Sequence, residues 1–179
     1  LMRKAVLGLA VDHPALASLV NPRQTSAITY RQSPLNARGD EAQFAAGPVA
    51  GAPLPECPLQ LATAAGLQAA HITDVVQNRF TVLAFAPTAD AVQALQAEAK
   101  ALIGKGVDTA VLPVRDAALA GEVAVVDSDC KLAAMYGALP GAVYVLRPDG
   151  HVLGRWQGGL HDDATLAAAV RQAIAKALA

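Results

Sequence analysis

The two cysteines are the side chains in this sequence best suited to covalent chemistry, and their spacing limits what they could do. Cys57 and Cys130 are the only cysteines among 179 residues, far outside any Cys-x-x-Cys spacing. This excludes a dithiol motif and a disulfide framework. Cys130 follows Ser128-Asp129 and precedes Lys131 at the start of a predicted short helix, where a helix N-terminus and a lysine would favour a thiolate. Free cysteines more often pack as small hydrophobic residues, and we favour that interpretation for both, keeping Cys130 as the alternative reactive thiol.

The remaining polar residues do not form a recognisable catalytic or metal-binding pattern. The four histidines are scattered and form no i, i+4 pair with an acidic neighbour: His13, His71, His151 and His161. The sequence contains no Gly-x-Ser-x-Gly elbow and no P-loop. Asp162-Asp163 is interpreted as a helix start, and Arg147, Asp149 and Arg155 are expected to make ion pairs across a hairpin. We therefore predict no catalytic, cofactor-binding or metal-binding residue in this chain.

The charge balance narrows the possible partners. Fourteen basic and fifteen acidic residues give a net charge of −1, which argues against charge-driven binding to nucleic acid or to anionic lipid. No apolar run approaches the length of a transmembrane helix. We expect a cytoplasmic protein that binds neither nucleic acid nor a membrane.

The C-terminal two thirds of the chain has a regular alternation of strands and helices. Residues 80–86 form a continuous apolar run typical of a strand covered on both faces. Further strands are predicted over 107–114, 122–127, 142–146 and 151–156, and the last two are joined by a type I turn over Arg147-Pro148-Asp149-Gly150. Helices are predicted after a cap at Thr88 or Asp90, over 131–136, and after Asp162 or Asp163. Two apolar stripes should face the core: Val92, Leu95, Ala99, Leu102 and Ile103, and then Leu166, Val170, Ile174 and Leu178.

The first third of the chain has a different composition. Residues 1–20 have helical spacing, and 25–30 could form a short edge strand. Glycine and proline crowd into 33–58, which predicts an extended linker lying over a surface. We therefore expect a boundary that separates residues 1–58 from a domain over 59–179. The chain opens with leucine, so we also expect it to be part of a longer protein.

The order of elements predicts an α/β fold of the thioredoxin-like kind. Its mixed sheet of about five strands would be flanked by helices and preceded by a helical and extended N-terminal segment. Such a domain works through a thiolate placed just after its first strand, at a helix N-terminus. Here that position reads Ala86-Pro87-Thr88-Ala89-Asp90, without a cysteine. We therefore predict a thioredoxin-like domain without thiol redox chemistry.

Three short strings, in order, resemble the C-terminal region of FAD-dependent aromatic-ring hydroxylases, the class A flavin monooxygenases of the phenol, phenylpropionate and polyketide hydroxylase type. They are Tyr30-Arg31-Gln32-Ser33-Pro34-Leu35, Gly47-Pro48-Val49-Ala50-Gly51-Ala52-Pro53-Leu54-Pro55, and Arg147-Pro148-Asp149-Gly150-His151-Val152-Leu153-Gly154-Arg155-Trp156. In that family a thioredoxin-like domain lacking redox cysteines follows the flavin and substrate domains. The residues matched to this signature are structural: Tyr30, Ser33, Pro34, Arg147, Pro148, Asp149, Gly150, Arg155 and Trp156.

The resemblance implies an oxidoreductase as the parent protein and a non-catalytic role for this part of it. The parent would use FAD, NAD(P)H and O2 to hydroxylate a phenolic or related ring. Residues 1–58 would be the end of its catalytic region followed by the linker. The partners would be the upstream FAD and substrate domains of the same chain, with a possible homodimer. Two alternatives stay open: a free-standing thioredoxin-like binding module and a thiol-dependent oxidoreductase using Cys130.

Overall fold

One seven-stranded mixed sheet, with four α-helices, organises the part of the chain that the computed structural model describes, residues 28–76 and 78–179. The strands are β1 (Pro58–Thr63), β2 (Gly66–His71), β3 (Phe80–Phe85), β4 (Thr109–Arg115), β5 (Ala124–Val126), β6 (Val143–Leu146) and β7 (Val152–Trp156). The helices are α1 (Ile72–Val76), α2 (Ala89–Ile103), α3 (Lys131–Tyr136) and α4 (Asp163–Ala177). The strand order is β2-β1-β5-β4-β3-β6-β7.

The centre of the sheet explains the apolar run at 80–86. β3 pairs in parallel with β4 and antiparallel with β6, and every residue of β3 is buried. Val82 and Ala84 pack on one face in a cluster that includes residues of α2 and α4, whereas Leu83 and Phe85 pack on the other with α1 and α3 residues. The prediction of a strand with both faces covered is therefore confirmed.

Local sequence signals placed the helices well. The Thr88 hydroxyl accepts the Ala91 N–H at 3.0 Å, and an Asp162 carboxylate oxygen accepts the Thr165 N–H at 2.9 Å, so both capping predictions are confirmed. The core stripes were wrong at their last members. Ile103 and Leu178 are 53% and 55% exposed; Ile103 is the last residue of α2, and Leu178 lies one residue beyond the end of α4.

The β1–β2 hairpin and the short helix α1 after it were missed by the sequence analysis, so the sheet has seven strands rather than about five. β1 and β2 share a two-residue loop, Ala64-Ala65, and β1 joins the sheet through antiparallel pairing with β5. Neither strand has a clear alternation of polar and apolar residues, since most of the hairpin lies outside the core. Of the edge strand predicted over 25–30, residues 28–30 are irregular and the rest lies outside the described residues, as does the predicted helix over 1–20.

The glycine- and proline-rich segment lies along the free edge of β7. We call residues 37–54 the strap. The Ala37 and Asp40 N–H groups donate to the carbonyl oxygens of Leu153 and Arg155, at 2.8 and 2.9 Å. Further along, Gly51 donates to the Val152 oxygen at 2.8 Å and Ala52 accepts from the Val152 N–H, also at 2.8 Å. The segment is not extended throughout, because it contains a short 3-10 helix, Glu41–Gln43, and several turns, but its main-chain hydrogen bonds lie along the edge strand and protect it.

Candidate functional site

A cleft of about 730 Å³ lies where the C-terminal end of β3 meets α3 and the loop before β6. Its size falls in the range of small-molecule sites, and its lining is mainly apolar. Ala86 and Pro87, from the position where this type of fold carries its reactive thiol, form one wall, and Pro140 and Cys130 line other parts. Ala86 has a left-handed backbone, with φ of 42°. The cleft therefore lies where the active site of such a fold is expected, but no cysteine follows β3 in this sequence.

Arg115 holds the β3–α2 loop in place. Its guanidinium makes two hydrogen bonds to the Glu122 carboxylate, 2.6 Å from Nε and 3.0 Å from Nη2, and a third, of 3.3 Å, to the carbonyl oxygen of Pro87. The hydrogen bond to Glu122 raises the pKa of Arg115, so the side chain stays charged. Because all of these donors serve structure, Arg115 is a positioning group for the cleft wall.

Cys130 lines the cleft but lacks the support that a reactive thiolate needs. It is exposed and precedes α3, and its backbone is left-handed, with φ of 53°. The two carboxylate oxygens of Asp127 accept the N–H groups of Leu132 and Ala133, at 3.0 and 2.9 Å. The neighbouring Lys131 ammonium is 2.8 Å from Asp129. The helix N–H groups and the lysine that sequence analysis offered to the thiol are thus occupied by carboxylates.

Cys57 is buried, so its environment is unfavourable for a nucleophile. It is 7% exposed and belongs to the core cluster that contains Tyr136 and Ile72. Burial, and after it the negative charges of Glu56 and Asp127, raises the pKa of the Cys57 thiol. The predicted packing role of this cysteine agrees with its environment.

The three signature strings, distant in sequence, come together at the β6–β7 hairpin. The Tyr30 ring lies 5.4 Å from the His151 ring, centroid to centroid, and the Tyr30 N–H donates to the Gly51 oxygen at 2.8 Å. Gly51 in turn donates to β7, and the Leu54 N–H donates to the Gly150 oxygen at 2.8 Å. Each string therefore contacts the next, which favours a structural reason for their order along the chain.

The remaining signature residues lie in the two turns and the strand that frame this contact. Ser33 and Pro34 belong to the turns after Tyr30, where the Ser33 N–H donates to the Tyr30 oxygen at 3.0 Å. Pro148 lies in the predicted type I turn, closed by the Gly150 N–H on the Arg147 oxygen at 2.9 Å. Asp149 pairs with Arg147, two residues away within the turn rather than across the hairpin as expected.

Trp156 is 3% exposed and packs against the helices on one face of the sheet. It lies at the end of β7, directly after Arg155. Its environment agrees with a structural role.

Arg155 is the polar centre of the strap. Its side chain is only 4% exposed, and two of its nitrogens, Nε and Nη2, donate to one carboxylate oxygen of Glu41 at 3.1 and 2.8 Å. Nη1 donates to the Ala46 carbonyl at 2.9 Å and to the Tyr144 hydroxyl at 3.3 Å, and the guanidinium lies 4.4 Å from the Phe44 ring centroid. Burial opposes the charge, but the hydrogen bonds to Glu41 and Tyr144 outweigh it and raise the pKa of Arg155.

The pairing of Arg155 corrects one expectation and shows what sequence reasoning missed. Arg155 does not pair across the hairpin with Asp149; it pairs with Glu41 of the strap. The signal was present, because an arginine in a strand buried on both faces needs a carboxylate partner. Its partner Glu41 stood 114 positions away in the segment interpreted as a linker, so the sequence indicated that a partner was needed but not which residue it is.

Neither a metal-binding cluster nor a membrane-spanning helix is found among the described residues. Within 28–76 and 78–179, no group of three or more His, Cys, Asp or Glu side chains is placed to hold a metal ion. In the same residues, none of the helices has both the length and the apolar character needed to cross a bilayer.

Comparison with known proteins identifies the fold. No family model matches the chain, and no curated protein matches it. Among solved structures, AhpC of Enterococcus faecalis is similar, with a TM-score of 0.57 and 14% identity over 74% of this chain and 93% of that one. The fold is thioredoxin-like.

Two flavin-dependent monooxygenases are also similar to this thioredoxin-like chain. PieE, in complex with FAD and substrate, has a TM-score of 0.59 and 22% identity over 91% of this chain. Aklavinone-11 hydroxylase, in a ternary complex with FAD and aklavinone, has a TM-score of 0.59 and 21% identity over 94% of this chain. The chain spans 28% and 31% of the length of these two enzymes. At these identities the likeness concerns the fold.

Proposed function

We propose that this chain is the C-terminal thioredoxin-like domain of an FAD-dependent monooxygenase that hydroxylates phenolic or related aromatic rings. In such an enzyme one oxygen atom of O2 enters the ring, the other leaves as water, and NAD(P)H supplies two electrons through FAD. The chain itself contributes no reacting group. Its role is to pack against the upstream FAD and substrate domains and to make subunit contacts.

The extent of the structural likeness carries this proposal. Residues 58–179, which hold all seven strands, make up about two thirds of the chain. The likeness to PieE and to aklavinone-11 hydroxylase covers 91% and 94%, so it includes much of the chain before Pro58. The likeness to AhpC covers only 74% of this chain. The extra likeness to the two monooxygenases falls on the part of the chain that contains the strap.

The strap gives this role a physical basis. Glu41 and Phe44 tie it to the buried Arg155, and main-chain hydrogen bonds tie it to the edge of β7. A segment held in this way fixes the point at which the chain enters the thioredoxin-like domain. In the parent enzyme it would anchor the end of the catalytic region, which together with the linker is proposed to make up residues 1–58.

The test is the complete reading frame that encodes this chain. We expect the DNA upstream of Leu1 to encode a flavin domain, and the purified product to oxidise NAD(P)H and hydroxylate a phenolic substrate in the presence of O2. The isolated chain serves as the matched control and should do neither. A stop codon immediately upstream, or a complete product that binds no FAD, would overturn the proposal.

The thiol-dependent alternative is supported by one observation, that exposed Cys130 lines the apolar cleft. It makes a different prediction, because peroxide or disulfide turnover by the isolated chain would then be lost in Cys130→Ser. The same assay with Cys57→Ser is the control, since Cys57 is buried. Absence of turnover in the unaltered chain removes this alternative.

A further inference from the structure

The outer edge of β2 differs from the other edge of the sheet because no described residue covers it. β7 is protected by the strap, whereas β2 is the last strand on its side and is exposed on both faces. Edge strands of monomeric proteins are usually blunted by lysine, proline, a bulge or a covering segment. The six residues of β2, Gly66–His71, contain no lysine, glutamate, aspartate, arginine or proline, and their pairing with β1 is regular.

The hydrogen-bond pattern shows which main-chain groups face outward. In an antiparallel pair, residues that exchange hydrogen bonds alternate with residues that do not. Just beyond β2, the Ile72 N–H donates to the Cys57 oxygen. The preceding residue, His71, is the last residue of β2, and it therefore points its N–H away from β1. That outward N–H is taken by an Asp74 carboxylate oxygen at 2.9 Å.

By the same alternation, the N–H and C=O groups of Leu67 and Ala69 also point away from β1. Within the described residues neither makes a hydrogen bond on that side. β2 therefore offers two adjacent donor and acceptor pairs, at Leu67 and Ala69, next to the His71 N–H that the Asp74 carboxylate occupies.

We propose that this edge pairs with β2 of a second copy of the chain, antiparallel and about a two-fold axis that passes beside Gln68. Leu67 of each copy then lies opposite Ala69 of the other, and the four outward groups of each strand exchange four main-chain hydrogen bonds. An isologous contact of this kind requires that the strand be complementary to itself.

The side chains of β2 meet that requirement. Leu67 and Ala69 share one face of the strand, so each two-fold-related pair is apolar, and Leu67, now 57% exposed, gains a cover. On the other face Gln68 lies opposite its own copy, where two amides can exchange hydrogen bonds. No like charges face each other in this register. A strand with one charged residue at its centre would fail the same test.

This inference names a surface for the subunit contact put forward above, but its test involves no flavin, so the two can fail separately. The contact is small, at the low end of specific interfaces, which implies a dissociation constant between about 1 μM and about 1 mM. Sedimentation equilibrium of the 179-residue chain should show a mass that rises with concentration from one chain toward two.

Charge exchange at the two-fold axis provides the decisive comparison. Gln68→Lys and Gln68→Glu should each raise the dissociation constant about fivefold, because like charges then lie directly opposite. An equimolar mixture of the two variants should associate at least as tightly as the parent chain. Gln96→Lys, on the exposed side of α2, is the matched control and should not change association.

A second variant tests the main chain itself. Ala69→Pro removes an outward N–H that β1 does not use, so it should abolish the dimer and leave the circular dichroism spectrum unchanged. A parent chain that stays monomeric up to about 1 mM, or a dimer unaffected by the Gln68 variants, would overturn the proposal. The charge-exchange experiment decides the matter if Ala69→Pro does not fold.

Discussion

Removing the carboxylate of Glu41 should destabilise the thioredoxin-like domain, although this residue lies more than 110 positions from its partner in the sequence. In Glu41→Ala, the buried Arg155 guanidinium keeps only the Ala46 carbonyl and the Tyr144 hydroxyl as hydrogen-bond partners. Breaking a fully buried ion pair by removing one partner costs about 3–5 kcal/mol. Because the Glu41 side chain is 38% exposed, water replaces part of the loss, and we expect about 2 kcal/mol.

Urea denaturation followed by tryptophan fluorescence measures this loss directly. The chain has a single tryptophan, Trp156, which is buried next to Arg155 and reports on the same region. With a denaturant slope of about 2 kcal/mol per M, the midpoint should fall by about 1 M. Adding Arg155→Met to Glu41→Ala should lower the free energy of unfolding little further, because the ion pair is already broken.

The control is a fully exposed ion pair. Asp129→Ala removes the contact with Lys131, whose side chain is 80% exposed, and should leave the midpoint unchanged. A midpoint change for Glu41→Ala no larger than that of Asp129→Ala would refute the reasoning. So would additive losses in the double variant, because the two side chains would then be energetically independent.

Three further predictions follow from contacts elsewhere in the structure. Gly39→Ala should cost about 1–3 kcal/mol in the same denaturation assay, because its Cβ would overlap the β7 backbone, whereas Gly104→Ala meets only ordinary contacts and should change little; equal losses would contradict this. Iodoacetamide should label Cys130 in the native chain and Cys57 only after unfolding, because burial protects the Cys57 thiol and raises its pKa. Mass spectrometry of the labelled peptides measures this, and labelling of Cys57 before Cys130 would contradict it. Hydrogen bonds from the first turn of α4 hold the pKa of Asp162 below its usual range, so its stabilising effect is present above the unfolded-state pKa of about 3.9 and is lost as pH falls through the lower folded-state pKa. The difference in melting temperature between the parent and Asp162→Ala should therefore narrow below about pH 4, and a difference that widens in acid would contradict this.

Elements set by local signals could be predicted from the sequence. The run at 80–86, the caps at Thr88 and Asp162, and the turn that begins at Arg147 each depend on neighbouring residues, and the structure has all of them. The absence of a cysteine after the predicted strand at 80–86 could also be read from the sequence, because this inference requires only the order of the elements.

Features that depend on partners distant in sequence were harder to predict. The strap was predicted as an extended segment, but its pairing with β7 depends on hydrogen bonds across more than 100 residues, which carry no local pattern. The β1–β2 hairpin was missed because most of its side chains are exposed, so the alternation that marks a half-buried strand is weak. The cleft could not be predicted either, because it is formed by the strap, α3 and two loops together.

The most direct test of the central claim is the flavin content of the complete protein that contains this chain. We predict that the product of the full reading frame, purified without added cofactor, shows the absorbance of bound FAD, and that the isolated chain shows none even after FAD is added. A complete protein without flavin, or flavin bound by residues 28–179 alone, would contradict the claim that this thioredoxin-like domain is a structural part of a flavin-dependent monooxygenase.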